Sequence, residues 1–166
     1  MEPSVDITFR KTVKSDGEPL MEWLEEEGVL SGFPMENRAE IEDAVNYWMH
    51  FCTIGASITA CYNGSVCGVA NLYVRGVEKI NHHCLFVIVV DPQYRGKGIG
   101  QQLIERLEKL GKEEFKIETL FLEIYKGNRA ITLYKRLGFL EIGEHPAFLI
   151  DREGKSFDKI IMEKQL

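Results

Sequence analysis

Between an apolar run and an amphipathic run, the chain reads Asp91-Pro92-Gln93-Tyr94-Arg95-Gly96-Lys97-Gly98-Ile99-Gly100. The residues before it, His83 to Val90, are apolar enough for a central strand, and those from Gly98 to Glu114 repeat Leu and Ile at helical spacing. Glycines let the backbone turn tightly, and the unpaired N–H groups at a helix start favour negative charge. The pattern therefore predicts an anion site, with Arg95 and Lys97 adding positive charge.

Two other phosphate-binding loops do not fit this stretch. A Walker loop requires Gly-Lys-Ser or Gly-Lys-Thr at a fixed spacing, which the glycines here lack. The dinucleotide fingerprint G-x-G-x-x-G requires a glycine where Gln101 stands. A nucleotide- or dinucleotide-binding module is therefore disfavoured, while the glycines alone still allow a purely structural turn.

The rest of the chain predicts strands and helices in alternation. Asp16 and Pro19 indicate a helix start and Gly28 its end, and Asn63-Gly64 predicts a type I′ hairpin. Strands are predicted at 7–11, 57–62, 66–74, 83–90, 120–125, 140–150 and 156–163, and further helices at 39–51, 98–114 and 129–137. The unbroken apolar strand at 83–90 predicts coverage on both faces, and its crossover to 120–125 predicts a right-handed parallel pair. We expect one α/β domain over residues 1–166, with helices around a mixed sheet.

Composition limits the possible partners. The chain has 166 residues, 45% of them hydrophobic, and a formal net charge of -6, which repels nucleic acid. Its longest apolar run, Cys84 to Val90, is far shorter than the about 20 residues that span a bilayer, so we expect a soluble protein with no membrane partner. With no metal-ligand spacing and no signal peptide, the cysteines predict free thiols in a cytoplasmic protein without a metal: Cys52, Cys61, Cys67 and Cys84.

Two blocks resemble the GNAT superfamily of N-acetyltransferases. The stretch from Val89 to Gly100 is similar to motif A, whose core is Arg/Gln-x-x-Gly-x-Gly/Ala; Arg95, Gly98 and Gly100 occupy those positions. The stretch from Asn128 to Phe139 is similar to motif B, N-x-x-A-x-x-F/L-Y-x-x-x-G-F, with one residue fewer before the alanine. The resemblance implies the GNAT fold, a mixed, mostly antiparallel sheet of about seven strands, flanked by helices and splayed at the cofactor cleft.

The resemblance also implies acetyl-CoA as cosubstrate and assigns residues to it. The backbone of Ile88, Val89 and Val90 would pair with the pantetheine arm, and Asn128 would line the far wall of the channel. As an alternative or an addition, Asn128 caps the following helix. The pyrophosphate would be held by the loop residues Arg95, Gly96, Lys97, Gly98, Ile99 and Gly100.

The implied chemistry is direct transfer, in which a neutral amine attacks the thioester and the departing CoA thiolate takes up a proton. By resemblance Tyr134 is the general acid; the alternative is a core aromatic on an amphipathic helix. Glu123 is the candidate base, because Leu122-Glu123-Ile124 resembles the L-E-V segment of ribosomal-protein alanine acetyltransferases. Glu123 shares its strand face with aromatic residues, and such surroundings can raise a carboxyl pKa. An ion-paired structural Glu123 is the alternative, and His82 and His83 are competing bases.

Two functions follow from the resemblance: an N-acetyltransferase acting on a primary amine, of a small molecule or of a peptide or protein, and a catalytically silent acetyl-CoA-binding regulatory domain. Tyr134 favours the enzyme. The acceptor would be chosen by segments around 28–38, 76–83 and 144–157, which match no pattern. Overall acidity favours a cationic acceptor such as a polyamine, an aminoglycoside, a lysine or a peptide N-terminus. A homodimer is a further expectation.

Overall fold

A computed structural model describes residues 5–166. The strands are β1 (Ile7–Lys11), β2 (Ser57–Tyr62), β3 (Ser65–Tyr73), β4 (His83–Val90), β5 (Thr119–Tyr125), β6 (Leu140–Ile150) and β7 (Ser156–Gln165). The helices are α1 (Gly17–Glu25), α2 (Glu27–Leu30), α3 (Arg38–Cys52), α4 (Ile99–Phe115) and α5 (Ala130–Arg136). The predicted elements are therefore confirmed, with ends that differ by a residue or two.

The strands form one seven-stranded sheet in the order β1-β2-β3-β4-β5-β7-β6. Every neighbouring pair is antiparallel except β4 and β5, which run parallel as the crossover predicted. The hairpin between β2 and β3 turns at Asn63 and Gly64, with φ of 48° and 83°. Both central residues thus have the positive φ of a type I′ turn, so that prediction is confirmed as well.

The predicted helix end at Gly28 is wrong. The first helix stops at Glu25, because Glu26 adopts an extended conformation (φ -71°, ψ 127°), and Gly28 lies inside the short helix α2. A Cβ at Gly28 would meet nothing within 4 Å, so no tight turn requires a glycine there. The break lets α2 bury Val29, which is 5% exposed, against α1 and α3.

Helices cover both faces of the sheet. On one face α4 buries Leu103, Ile104 and Leu107 completely, and on the other α1 and α3 bury residues such as Leu20 and Trp48. Each such side chain contributes about 1.5–3 kcal/mol by leaving water. Side chains of β4 enter both cores, which confirms the expectation that both of its faces are covered.

A buried polar cluster fastens α1 to the first strands. Asp16 is 2% exposed and accepts hydrogen bonds from Arg10 at 2.7 and 2.9 Å, from the Val13 N–H at 2.9 Å and from the Thr59 hydroxyl at 2.8 Å. Burial by itself would raise the pKa of Asp16, but the hydrogen bonds outweigh it and the pKa lies below its ordinary value. The cluster ties the start of α1 to β1 and β2.

The cysteines are free thiols, as predicted, and three of the four are buried. Within residues 5–166, none of the helices has both the length and the apolar character that crossing a bilayer demands.

Candidate active site

The site begins where β4 and β5 separate. These strands pair only at His83↔Thr119, Cys84↔Leu120 and Leu85↔Phe121. Beyond Leu85, β4 stays paired with β3 as far as Val90, and β5 stays paired with β7. A cavity of about 920 Å³ opens between the two strands, and the predicted splay is confirmed.

Several parts of the chain line this cavity. They are residues 73–75 at the end of β3, 85–90 of β4, 122–125 of β5, residues 128–130 with Tyr134 of α5, Leu24 and the segment 28–35 with the facing side of α3, and the pair Arg95 and Phe148. Most of these side chains are apolar or aromatic, as is usual for a small-molecule site. The motif A and motif B segments meet here, although 27 residues lie between Gly100 and Asn128 in the chain.

At one end of the cavity lies the glycine loop. Gly96 and Gly98 both have φ of 75°, a conformation that L side chains rarely adopt. Gly98 immediately precedes α4, and the first helical hydrogen bond is from Gln102 N–H to the Gly98 carbonyl at 3.2 Å. The N–H groups of the first turn have no carbonyl within the helix to pair with, so the loop presents backbone donors at the positive end of the α4 dipole.

The two cations of the loop take different positions. Arg95 lines the cavity. Lys97 instead places its Nζ 5.3 Å from the centre of the Tyr62 ring, and Tyr62 in turn packs on Tyr94 at 5.1 Å. The sequence predicted that Arg95 and Lys97 act together at an anion site. In the structure Arg95 lines the cavity, whereas Lys97 contacts the Tyr62 ring.

Asn128 lines the cavity and contacts the start of α5. Its Oδ1 accepts a hydrogen bond from the Ala130 N–H at 2.9 Å, while the N-cap position of α5 is Arg129. Its amide nitrogen lies close to Gly32, where an added Cβ would come within 3.7 Å of it. The side chain therefore spans the distance from the start of α5 to the segment that precedes α3.

Tyr134 projects from α5 into the cavity wall. It is 8% exposed and makes edge contacts with Phe86 and Phe139, with ring centres 6.1 and 5.9 Å away. Burial raises the pKa of Tyr134 to about 12. The phenol is consequently protonated at neutral pH and able to donate a proton or a hydrogen bond into the cavity.

Glu123 lines the cavity from β5, on the face opposite Leu122 and Ile124. It is not enclosed by apolar groups as expected: its side chain is 42% exposed, and its Oε1 lies 3.4 Å from the Nζ of Lys159. His82 and His83 contact each other at the start of β4, with ring centres 4.8 Å apart. None of the described residues that line the cavity is a histidine. Among the base candidates, therefore, only Glu123 reaches the cavity.

Sequence reasoning missed several residues of the site. Lys159 has a side chain only 12% exposed, and its Nζ lies 3.8 Å from the centre of the Phe148 ring. Tyr47 of α3 stacks on Tyr73 of β3 at 5.5 Å, and both line the cavity. Lys159 precedes the apolar run Ile160-Ile161-Met162. A lysine next to such a run was the sequence signal that could have indicated a partly buried lysine in this region.

Comparison with known proteins defines the class. A model of the Acetyltransferase (GNAT) family matches residues 17–139, most of the chain. This protein belongs to the GNAT acetyltransferase family, and its structure has the GNAT fold.

Particular relatives narrow the comparison. The chain is 40% identical over 83 residues to the Escherichia coli ribosomal protein bS18 alanine N-acetyltransferase, covering 47% of this chain and 52% of that one. It is 24% identical over 140 residues to the Escherichia coli spermidine N(1)-acetyltransferase, covering 84% and 70%. A Mycobacterium leprae protein is 29% identical over 151 residues, and the match spans only 39% of its length.

Solved structures share the fold. A Salmonella typhimurium acetyltransferase determined with its cofactor acetyl-CoA superimposes with a TM-score of 0.82 at 22% identity, over 96% of this chain and 94% of that one. The ribosomal-protein-alanine N-acetyltransferase of Brucella melitensis gives 0.81 at 23% identity, over 96% and 99%. At these identities the likeness establishes the fold alone.

Proposed function

We propose that this chain transfers an acetyl group from acetyl-CoA directly to a primary amine. The observation that carries the proposal is the cleft between β4 and β5, which has a glycine loop and a helix N-terminus at one end and the protonated Tyr134 in its wall. Membership of the GNAT family supports acetyl-CoA as the acetyl donor. Relatives named as alanine and spermidine N-acetyltransferases support an amine as the acceptor.

The residues present fit acetyl-CoA. The left-handed Gly96 and Gly98 leave open space, since a Cβ at Gly96 would meet nothing within 4 Å, so pyrophosphate oxygens can reach the loop amides. Arg95 supplies positive charge. Past Leu85, the edge of β4 that faces β5 is free of strand partners in the described chain, which suits Ile88 to Val90 for backbone hydrogen bonds to the amides of pantetheine.

Tyr134 is proposed as the general acid. When the amine nitrogen bonds to the thioester carbonyl carbon, the carbon–sulfur bond breaks and the electron pair leaves with sulfur. A phenol whose pKa is about 12 is protonated at neutral pH, so its O–H can hydrogen-bond to the sulfur as negative charge develops there. The Tyr134 O–H would give that proton to sulfur and regain one from solvent.

Glu123 is proposed as the base that takes the proton from the amine, directly or through a water. Its support is position: it lines the cavity, whereas the cavity-lining set within residues 5–166 includes neither His82 nor His83. Lys159 would hold the carboxylate in place through their contact at 3.4 Å. In the competing interpretation, this ion pair is purely structural.

The base assignment is tested by kcat/KM against pH. Glu123→Gln keeps the side-chain shape but removes basicity, so the rate should fall near neutral pH and recover at high pH, where more of the amine arrives deprotonated. His82→Gln and His83→Gln should give the wild-type profile. A wild-type profile for Glu123→Gln, with a shifted profile for either histidine variant, would transfer the role of base to that histidine.

The catalytic proposal is tested by thiol release from acetyl-CoA in the presence of a panel of primary amines, with a reaction lacking amine as the control. Amine-dependent thiol release with an acetylated product identified by mass spectrometry is expected. A chain that binds acetyl-CoA and acetylates no amine in the panel would instead be the silent regulatory domain.

A further inference from the structure

The charges around the cavity differ in sign from the charge of the whole chain. The chain has a formal net charge of -6, yet the ionised side chains lining the cavity are Arg75, Arg95, Arg129 and a single carboxylate, Glu123. That carboxylate is already paired with Lys159 at 3.4 Å. Within the described residues, the cavity thus has no unpaired negative group to receive a polycation, and it has positive charge to receive an anion.

The two sides of β4 divide the cavity into a cofactor side and an acceptor side. Side chains of Phe86, Ile88 and Val90 face the core under α4 and α5, where the glycine loop and Tyr134 lie, whereas Val87 and Val89 face α1 and α3. An acceptor therefore approaches from the α3 side. The walls there are mainly apolar and aromatic: Phe33, Met35, Tyr47, Tyr73, Leu85 and Phe148.

Arg75 lies at the acceptor end. It follows β3, whose last residue Tyr73 pairs with Leu85, while the glycine loop follows Val90 at the other end of β4. Five residues of extended strand separate Leu85 from Val90, about 17 Å, so Arg75 is too distant to share the phosphates beside Arg95.

The guanidinium of Arg75 is open to a ligand. Its Cζ lies 5.8 Å from the centre of the Phe121 ring, so the guanidinium packs over an aromatic side chain of β5. Among residues 5–166, none of the ion pairs involves Arg75. An arginine that lines a cavity without an internal partner presents a planar pair of donors suited to a carboxylate.

We infer that the acceptor is a primary amine that also carries a carboxylate, that is, a free amino acid or a close analogue. This inference rests on the proposed function and specifies its substrate class. Arg75 binds the carboxylate, and the wall formed by Tyr47, Tyr73 and Phe148 packs against an apolar or aromatic side chain. It replaces the expectation of a cationic acceptor, which came from overall charge, because the charges at the site decide what the site binds.

The test compares each common L-amino acid with its decarboxylated amine, such as phenylalanine with 2-phenylethylamine, using kcat/KM from thiol release and spermidine as a polycationic probe. At least one amino acid should exceed both its own amine and spermidine by about tenfold or more, the effect expected of one charge-assisted hydrogen-bonded pair. Arg75→Gln should lower kcat/KM for that amino acid by about 10–100-fold and change kcat/KM for the amine by less than about threefold.

Lys79→Gln is the matched control. It removes a positive charge from the same connection, at an exposed residue outside the cavity lining, and should leave both substrates unaffected. Thermal stabilisation of Arg75→Gln by acetyl-CoA should equal that of the wild type, which verifies its fold. Preference for spermidine or for the decarboxylated amines, or an equal effect of Arg75→Gln on both members of a pair, would overturn the inference while leaving the acetyltransferase function standing. Acetylation of none of the compounds would overturn both.

Discussion

Asp16 and Tyr134 are both polar groups withdrawn from water, yet their surroundings differ completely. Asp16 is 2% exposed and receives hydrogen bonds from Arg10, Val13 and Thr59. Tyr134 is 8% exposed and packs against aromatic rings, and burial is the sole cause of its raised pKa, with no hydrogen bond from the described residues contributing. The internal partners of Asp16 stabilise the fold, whereas the hydroxyl of Tyr134 is available to a bound substrate.

This difference predicts that stability and catalysis can be separated by mutation. Removing Asp16 should cost free energy of unfolding and leave turnover per folded molecule unchanged. Removing the Tyr134 hydroxyl should lower turnover per folded molecule and leave the free energy of unfolding unchanged.

Tyr134→Phe should lower kcat by about 10²–10⁴-fold, because the leaving thiolate loses its proton donor. The ring and its packing on Phe86 remain, so the thermal midpoint and the affinity for acetyl-CoA should stay close to wild type. Steady-state kinetics, thermal denaturation and calorimetric titration measure the three quantities. An unaltered kcat would remove the general-acid role and leave solvent to protonate the thiolate.

Gly98→Asp should weaken acetyl-CoA binding by about 3 kcal/mol, because it places a negative charge beside the pyrophosphate and a side chain at a positive φ. Gly154→Asp is the matched control: Gly154 also has a left-handed φ, 81°, with no atom within 4 Å of an added Cβ, and it does not line the cavity. Both variants should fold. Equal acetyl-CoA affinities for the two variants would place the pyrophosphate elsewhere.

Asp16→Ala should lower the free energy of unfolding by about 2–3 kcal/mol, because the hydrogen bonds from Arg10, the Val13 N–H and the Thr59 hydroxyl to a buried carboxylate are lost. Asp43→Ala, at an exposed residue of α3, is the control and should stay within about 0.5 kcal/mol of wild type. Urea denaturation measures both. A loss of kcat per folded molecule in Asp16→Ala would break the separation between the two regions.

The smallest expected effect is the pH dependence of that stability difference. The pKa of Asp16 in the folded state lies below its ordinary value of 3.8, so the stability due to its ionised form is present above that value and is lost as pH falls through the folded-state pKa. The gap between wild type and Asp16→Asn should therefore narrow as urea denaturation is moved from pH 7 towards pH 3. A gap that stays constant or widens on acidification would contradict the sign of the shift.

The same comparison shows what the sequence could predict. Local patterns fixed the elements and the loop: the Asn63-Gly64 turn, the apolar β4 and the glycines before α4 each depend on neighbouring residues alone. The helix end predicted at Gly28 was wrong because tertiary packing determines where α1 breaks. Burial of Val29, and not a glycine turn, sets that position.

The acceptor side was beyond prediction for a related reason. Tyr47, Tyr73 and Phe148 line the cavity from α3, β3 and β6, and Lys159 of β7 contacts Phe148 and Glu123. Only the tertiary fold brings these four elements together. The ion pair between Glu123 and Lys159 likewise depends on the antiparallel pairing of β5 with β7, which no local pattern encodes. Local sequence thus described the glycine-loop end of the cavity, whereas tertiary structure was needed for the end near Arg75.

The central claim is that the cleft between β4 and β5 binds acetyl-CoA, and thermal denaturation of the wild-type chain with acetyl-CoA, CoA or NAD tests it most directly. Ligands that bind only the folded state raise its stability, by about 2.7 kcal/mol at a concentration one hundred times Kd. We expect the thermal midpoint to rise with acetyl-CoA and with CoA, and to stay unchanged with NAD. A shift with NAD and none with either CoA species would contradict it.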